Sequence, residues 1–419
     1  MKVDNIYIDI KKDPQIWKFG FYGLFKNLRF FEPYLYIYFL SFGINLFQIG
    51  ILFSIREIIT YIFEIPSGIF ADHYGKITEL LICFIFYIIS FIFFFIGENY
   101  SILIVGMIFF GLGESFRSGT HKAMIYSYLE KKGWFSYKTF VYGRTRSFSL
   151  IGSSISAFIS IVFVLNLPGL RWIFLIVIIP YILDFILIAT YPRYLNGRVE
   201  SDKSFGKFIR NSVDQLKSIW RKKKLRKVLL SSSLYDAIFK TIKDYIQPIM
   251  KILVVASGIG ILAKYPPKSQ IIIVLGVIYG VFYLFSSIAS RNVFRLNKYF
   301  SSGKLMNLFF DIMGVTLVVM FFVIKSNLIL IVIILFFILY FLKDARRPLV
   351  VDIAGDIMNK KERATVMSID SQLKSLAMII LAPFVGFIAD QFSIGITFLS
   401  IGVFIIIINR IFKSLQEVT

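Results

Sequence analysis

Apolar runs of roughly the length of one membrane-crossing helix, about 20 residues, alternate with short polar separators along nearly the whole chain. They fall near residues 20–43, 47–71, 77–97, 101–127, 139–166, 170–191, 226–256, 269–291, 304–325, 327–351, 363–390 and 394–410. The separators carry breakers and polar residues, among them Ser41-Phe42-Gly43, Gly97-Glu98-Asn99, Asn166-Leu167-Pro168-Gly169 and Tyr265-Pro266-Pro267. The pattern predicts an all-α, polytopic membrane protein with twelve transmembrane helices in two six-helix halves, residues 1–191 and 226–419, joined by a linker at 192–225. The start, Met1 to Gly20, has charges and Pro14 but no short apolar core with a small-residue cleavage site, so no removable signal peptide is expected.

Composition agrees. Apolar residues make up 57% of the chain, above the ~45–50% of soluble domains, and mean hydropathy is +0.74. An aromatic content of 18%, only 27 Gly and 11 Pro, and the single cysteine Cys83 exclude a disordered chain, a collagenous rod and a disulfide-stapled domain. The net charge of +22 invites a nucleic-acid reading, but its arrangement decides otherwise. Between Arg193 and Lys227 stand twelve basic residues against three acids, and the run Arg221-Lys222-Lys223-Lys224-Leu225-Arg226-Lys227 lies directly before an apolar segment, where anionic lipid head groups attract it. No nucleic-acid partner is expected; membrane lipids are.

Lys and Arg also set the orientation. One set of separators holds Lys11, Lys12, Lys18, Lys76, Lys131, Lys132, Lys138, the linker cluster, Arg291, Arg295, Lys298, Lys304, Lys360, Lys361, Arg363, Arg410 and Lys413, and the opposite set only Arg171, Lys264, Lys268 and Lys325. Both termini and the linker are therefore expected in the cytoplasm, with the protein in the cell membrane.

Charge at membrane depth is the more informative signal. Segment one holds Arg29 and Glu32, segment four Glu114, Arg117, His121 and Lys122, segment seven Asp236, Lys240, Lys243 and Asp244, and segment ten Lys343, Asp344, Arg346 and Arg347. Segments three and twelve are almost bare, and six and nine carry one acid each, Asp184 and Asp311. An ion at the bilayer centre costs at least ~2.5 kcal/mol, so every third helix is expected to face a wet interior. Spacing puts Asp236, Lys240, Lys243 and Asp244 on one helix face, and Arg29 with Glu32, like Glu114 with Arg117, three apart and able to pair within one helix. The candidate proton-coupling or substrate residues are Glu32 first, then Arg29, Glu114, Arg117, Asp236, Lys240, Asp244 and Asp344. For each pair, mere neutralisation and helix packing is an equal alternative. Arg56, Glu57 and Glu64 in segment two have weaker claims, with Glu64-Ile65-Pro66-Ser67 expected to break that helix; His121 reads as a hydrogen-bonding residue.

After segment two stands Gly68-Ile69-Phe70-Ala71-Asp72-His73-Tyr74-Gly75-Lys76, which resembles the signature of the first cytoplasmic loop in the major facilitator superfamily of secondary transporters. Physically, Gly68 permits close helix approach, Asp72 can accept from the N-terminus of a neighbouring helix, and Gly75 turns the chain before Lys76. The resemblance implies that Gly68, Asp72, Gly75 and Lys76 form a cytoplasmic gate motif latching the halves. His73 and Ile77 stand where further basic residues are common, and the counterpart from Arg291 to Lys304 lacks the aspartate. Arg117-Ser118-Gly119 is similar to the family's buried arginine motif, and Gly386-Phe387-Ile388-Ala389-Asp390 echoes Gly68 to Asp72 at the opposite membrane face, as inverted repeats would produce. The glycine and proline signature of many drug antiporters in segment five is not present.

The resemblance implies alternating access around a central site, and proton coupling needs a carboxylate whose environment changes between states. The expected function is secondary active transport of a small organic or amphipathic solute by a monomer, as proton-coupled export. The alternatives are an uptake carrier, or a receptor or scaffold that has kept a transporter fold. No phosphate-binding Gly-x-x-x-x-Gly-Lys loop, no zinc-ligand set beyond His73, His121 and Cys83, and no Gly-x-Ser-x-Gly elbow stands in the chain, so neither an enzyme, a metal site nor a cofactor is expected. The Ile, Lys and Phe bias points to an A/T-rich prokaryotic genome.

Overall fold

The computed structural model describes residues 2–196, 223–257, 260–292, 300–357 and 363–417. Most of the basic linker lies outside these residues, as do Arg295, Lys298, Lys360 and Lys361. Within them the chain is almost wholly helical: α1 (Lys2–Lys12), α2 (Pro14–Lys26), α3 (Leu35–Leu40), α4 (Leu46–Tyr74), α5 (Lys76–Ile96), α6 (Tyr100–Arg117), α7 (Thr120–Lys131), α8 (Lys138–Asn166), α9 (Ile173–Ala189), α10 (Lys223–Ile242), α11 (Ile246–Ser257), α12 (Pro267–Asn292), α13 (Ser302–Lys325), α14 (Ile329–Ile357), α15 (Arg363–Gln391) and α16 (Ile394–Glu417). Among the described residues, nine candidate spans are long and apolar enough to cross a membrane. The three predicted segments that fall short of that standard are one, seven and ten, all of them charged.

Three of the charged segments are interrupted, each for a local reason. In segment one α2 stops at Asn27, whose side-chain amide donates to the Gly23 carbonyl at 2.6 Å, and Pro33 disfavours helix at Glu32, which opens a 3₁₀ turn, Glu32–Tyr34. In segment four Gly119 takes φ 77°, a left-handed conformation that separates α6 from α7. In segment seven a 3₁₀ turn, Lys243–Tyr245, divides α10 from α11, and Pro248 in the first turn of α11 lacks the N–H that would continue the α pattern backwards. Two expectations are corrected by these breaks. Arg29 and Glu32 do not share a helix, so they cannot pair as neighbours on one, and Asp236 to Asp244 is not one continuous helical face. Pro66, by contrast, does not end its helix, since α4 runs through it to Tyr74.

The chain divides into two compact units, Met1–Pro33 with Ile58–Lys203 and Tyr279–Leu284, and Tyr34–Glu57 with Ser204–Ile278 and Phe285–Thr419. Helix α4 contributes to both. In the first unit α5 packs against α6 and α9, and α2 against α8 and α9. In the second, α13 packs against α14 and α16, and α10 against α15. Numbered by apolar segment, the pairs three–four, three–six and one–five recur as nine–ten, nine–twelve and seven–eleven, which is an internal repeat expressed in packing. Aromatic side chains fill the first unit: Phe19, Phe84, Tyr87, Phe91, Phe94, Phe174 and Tyr181 are all buried.

In the second unit the start of α4 crosses α15 backbone to backbone. A Cβ on Gly50 would stand 2.3 Å from the Ala382 carbonyl oxygen, and one on Gly386 2.3 Å from that of Leu46. The Asp390 carboxylate accepts from the first backbone N–H groups of α4, Leu46 at 3.1 Å and Phe47 at 2.7 Å. An acidic side chain from another helix thus caps the positive end of α4. Gly386→Leu is expected to cost about 1–3 kcal/mol by forcing the helices apart, and Asp390→Asn about 1 kcal/mol through the weakened cap. Thermal unfolding in detergent checks the order: a Gly386→Leu protein that melts with the parent would contradict the close crossing.

Candidate functional site

Four elements of the first unit meet at a half-buried group of ions. Arg29, in the non-helical stretch after α2, donates through Nη2 to Glu114 Oε1 of α6 at 2.9 Å and through Nε to the Tyr181 hydroxyl of α9 at 3.1 Å. Arg117, one turn along α6, pairs with the other oxygen of Glu114 and donates through Nε to the Tyr87 hydroxyl of α5 at 3.2 Å. Glu114 is therefore clamped by two guanidinium groups, one from its own helix and one from segment one. The break between α2 and α3 is what lets Arg29 turn towards α6. Glu32 lies within electrostatic range of Arg29.

The clamp has a wall of rings. The Arg29 guanidinium lies 5.5 Å from the Phe110 ring centroid and the Lys26 ammonium 5.5 Å from that of Tyr22. His121 stacks on Tyr22 with centroids 3.6 Å apart and shares a hydrogen bond of 3.2 Å with Tyr191, the hydrogen-bonding role expected of it. Arg29, Glu114 and Arg117 keep side-chain exposures of 20%, 21% and 26%, so the clamp borders open space rather than closed packing.

One acid here is named in the sequence analysis but not among its candidates. Asp184, on α9, is completely buried, lies within electrostatic range of Lys26, and has no side-chain hydrogen-bond partner for either oxygen among the described residues. It is the lone charge in an otherwise apolar segment. The only signal for it was that an unpaired carboxylate has no place among acyl chains.

The second unit holds the remaining candidates in separate groups. Lys243 pairs with Asp244 at 2.8 Å, and Lys343 with Asp344 at 3.1 Å. Lys240 is within electrostatic range of Glu57, which is buried, paired with Arg56 at 2.8 Å and hydrogen-bonded by Ser375 at 2.9 Å. Asp236 lies near Arg346 and Asp370. Arg346 is fully buried, donates to the Ser231 carbonyl at 3.1 Å and hydroxyl at 2.9 Å, and covers the Tyr235 ring at 4.3 Å. Asp370, which accepts from Ser233 at 3.1 Å, was not singled out from the sequence, because nothing in its spacing ties it to segments seven and ten.

The loop motif is placed in the first unit. Gly75 has φ 95°, as its turn requires, and the Asn196 side chain accepts from the backbone N–H of Ile77 at 2.9 Å, closing that corner. Asp72 is half-buried. Gly68 is exposed, with nothing within 4 Å of where a Cβ would stand, so the close helix approach expected there is not made in this structure.

The sequence profile of the Major Facilitator Superfamily matches residues 21–263. The chain belongs to this superfamily. Its members are membrane transporters, and the protein is a multi-pass transporter of that kind. YxaM of Bacillus subtilis (strain 168), an uncharacterized MFS-type transporter, is 25% identical over 380 residues, covering 90% of this chain and 89% of that protein. Among solved structures, the nucleoside transporter NupG superposes with a TM-score of 0.75 at 12% identity, covering 97% of this chain and 100% of that one. A bacterial homolog of the human lysosomal transporter Spinster, inward-facing and occupied, gives 0.71 at 14% identity, covering 96% of both chains. At these identities the structural likeness establishes the major facilitator fold.

Within that fold, the clamp has a measurable energetic signature. Glu114→Gln leaves Arg29 and Arg117 without their shared anion and is expected to lower stability by about 1–3 kcal/mol, with a comparable coupling energy between positions 29 and 114 in a double-mutant cycle. Denaturation of the purified variants in detergent measures both; additive single effects would show that the clamp does not act as a unit.

Proposed function

We propose that the protein is a secondary active transporter that exports a small amphipathic organic solute in exchange for protons, by alternating access. The observation that carries this reading is the Arg29–Glu114–Arg117 clamp, set among Tyr22, Tyr87, Phe110 and Tyr181 and bordering open space. Paired charges of both signs beside flat rings suit a solute with a ring system and an ionised group, and a carrier must hold such ions in a wet site because lipid would not. Export is assigned because a strongly aromatic chain with acids among its charged helices suits amphipathic cations. Glu32, beside Arg29, and Glu114 belong to the substrate-facing set, and both termini are assigned to the cytoplasmic side.

The test is flux of a labelled or fluorescent compound in proteoliposomes under an imposed proton gradient. The expected results are net movement against the solute gradient that reverses sign with the proton gradient, at least a tenfold loss of that flux in Glu114→Gln, and an altered pH dependence in Glu32→Gln. Flux indifferent to the proton gradient would end the coupling assignment, movement down the same direction as the protons would replace export with uptake, and no flux across a broad panel would favour a receptor or scaffold.

A further inference from the structure

The first unit offers several acids, and geometry separates them: Glu79 is buried but accepts from the Thr120 hydroxyl at 2.6 Å. Glu114 is held by two guanidinium groups that stay charged at any physiological pH, so its ionised form is fixed by permanent partners. Asp184 is different. It is fully buried, neither of its oxygens has a side-chain hydrogen-bond partner among the described residues, and the cation that faces it is a lysine, on a flexible stem, rather than an arginine. An ionised carboxylate left in that condition carries a large desolvation cost, whereas a neutral carboxylic acid there carries little.

We infer that Asp184, facing Lys26, is the carboxylate that takes up and releases the exchanged proton. The inference rests on the proton-coupled reading above. The groups around Asp184 come from each neighbouring element: Lys26 and Tyr22 from α2, with His121 stacked on Tyr22; Cys83 and Tyr87 from α5, beside Tyr22 and Tyr181; and Tyr191 from the chain just after α9. Beyond Lys26 lie Arg29, Arg117 and Glu114. With Asp184 ionised, the cations Lys26, Arg29 and Arg117 are matched by Glu32, Glu114 and Asp184. When a proton from water adds to Asp184, a carboxylate becomes a neutral acid, and the group is left with one positive charge more than before. That excess opposes the cationic end of a solute. Loss of the proton restores the balance and readmits it, so proton and solute exclude one another, which is the requirement for exchange.

The experiment needs neither a substrate nor a gradient. Infrared difference spectra of the full-length protein in liposomes are recorded while pH is stepped from acid to alkaline. The expected result is a buried carboxylic-acid C=O band that disappears on titration, is lost in Asp184→Asn, returns at a shifted frequency in Asp184→Glu, is unchanged in Asp311→Asn, and persists to higher pH in Lys26→Met. A spectrum that Asp184→Asn leaves unchanged in a folded protein, checked by its elution as a single species, overturns the inference, whereas a separate component removed by Glu79→Gln belongs to that acid; a titration that ignores Lys26→Met overturns it too. Gradient-driven flux in a wild-type protein with no Asp184 band sinks this inference alone, whereas a titrating Asp184 in a protein whose flux ignores the gradient sinks both it and the coupled reading.

Discussion

An ion that leaves water for the interior of a helix bundle must find its counter-ion there, and that constraint organises the first unit. A lone guanidinium or carboxylate among apolar side chains costs several kcal/mol, so each charge on segments one and four ends beside a partner or bordering open space. Glu114 meets the requirement twice, with Arg29 and Arg117. The geometry then dictates backbone. Arg29 can reach α6 because α2 has already ended at Asn27 and the chain runs irregularly to Pro33. Irregular backbone at membrane depth is tolerable only where protein or water satisfies its polar groups, so the break and the charges require one another.

The architecture was legible because its signal is periodic and repeated. Apolar runs of spanning length locate the helices, and charges on every third run mark the same segments that are broken, or too polar to qualify as spans by apolarity, in the structure. What remained illegible is pairing between helices. Spacing along one helix joins Glu114 to Arg117 correctly, but it proposes Arg29 with Glu32, and the Arg29 side chain instead crosses to Glu114. That choice depends on how α2 and α6 are registered against each other, a tertiary quantity with no trace in local spacing. Asp184 and Asp370 escaped for the same reason. Each is a single acid whose meaning comes from a residue on another helix, Lys26 for one and Ser233 for the other. Pro66 illustrates the converse: a residue that reads as a stop is carried through by the packing of α4 on its neighbours, Ser67 reaching the Ser115 carbonyl at 3.0 Å.

The two copies of the Gly-x-x-x-Asp pattern show that a motif can be judged by the physics it performs. At Gly386 and Asp390 both parts operate in this structure: the glycine admits the backbone of α4, and the aspartate accepts from the exposed N–H groups at the start of that helix. At Gly68 the close approach is not made. The same short sequence thus describes a contact that forms and one that stands open.

Charge balance gives the ion group its economy. Three cations and three acids in one unit can be neutral in total and still respond sharply to one proton, provided one acid lacks permanent partners. Two arginines hold Glu114 in its ionised form and thereby keep it from competing for that proton. Lysine at position 26 is the appropriate complement, because an ammonium on a long stem offers a carboxylate a single point of charge and can withdraw from it, whereas a guanidinium would lock it bidentately. Replacing Lys26 by arginine should therefore be more disruptive to function than its charge conservation suggests, since it would hold the Asp184 carboxylate as Arg29 and Arg117 hold that of Glu114.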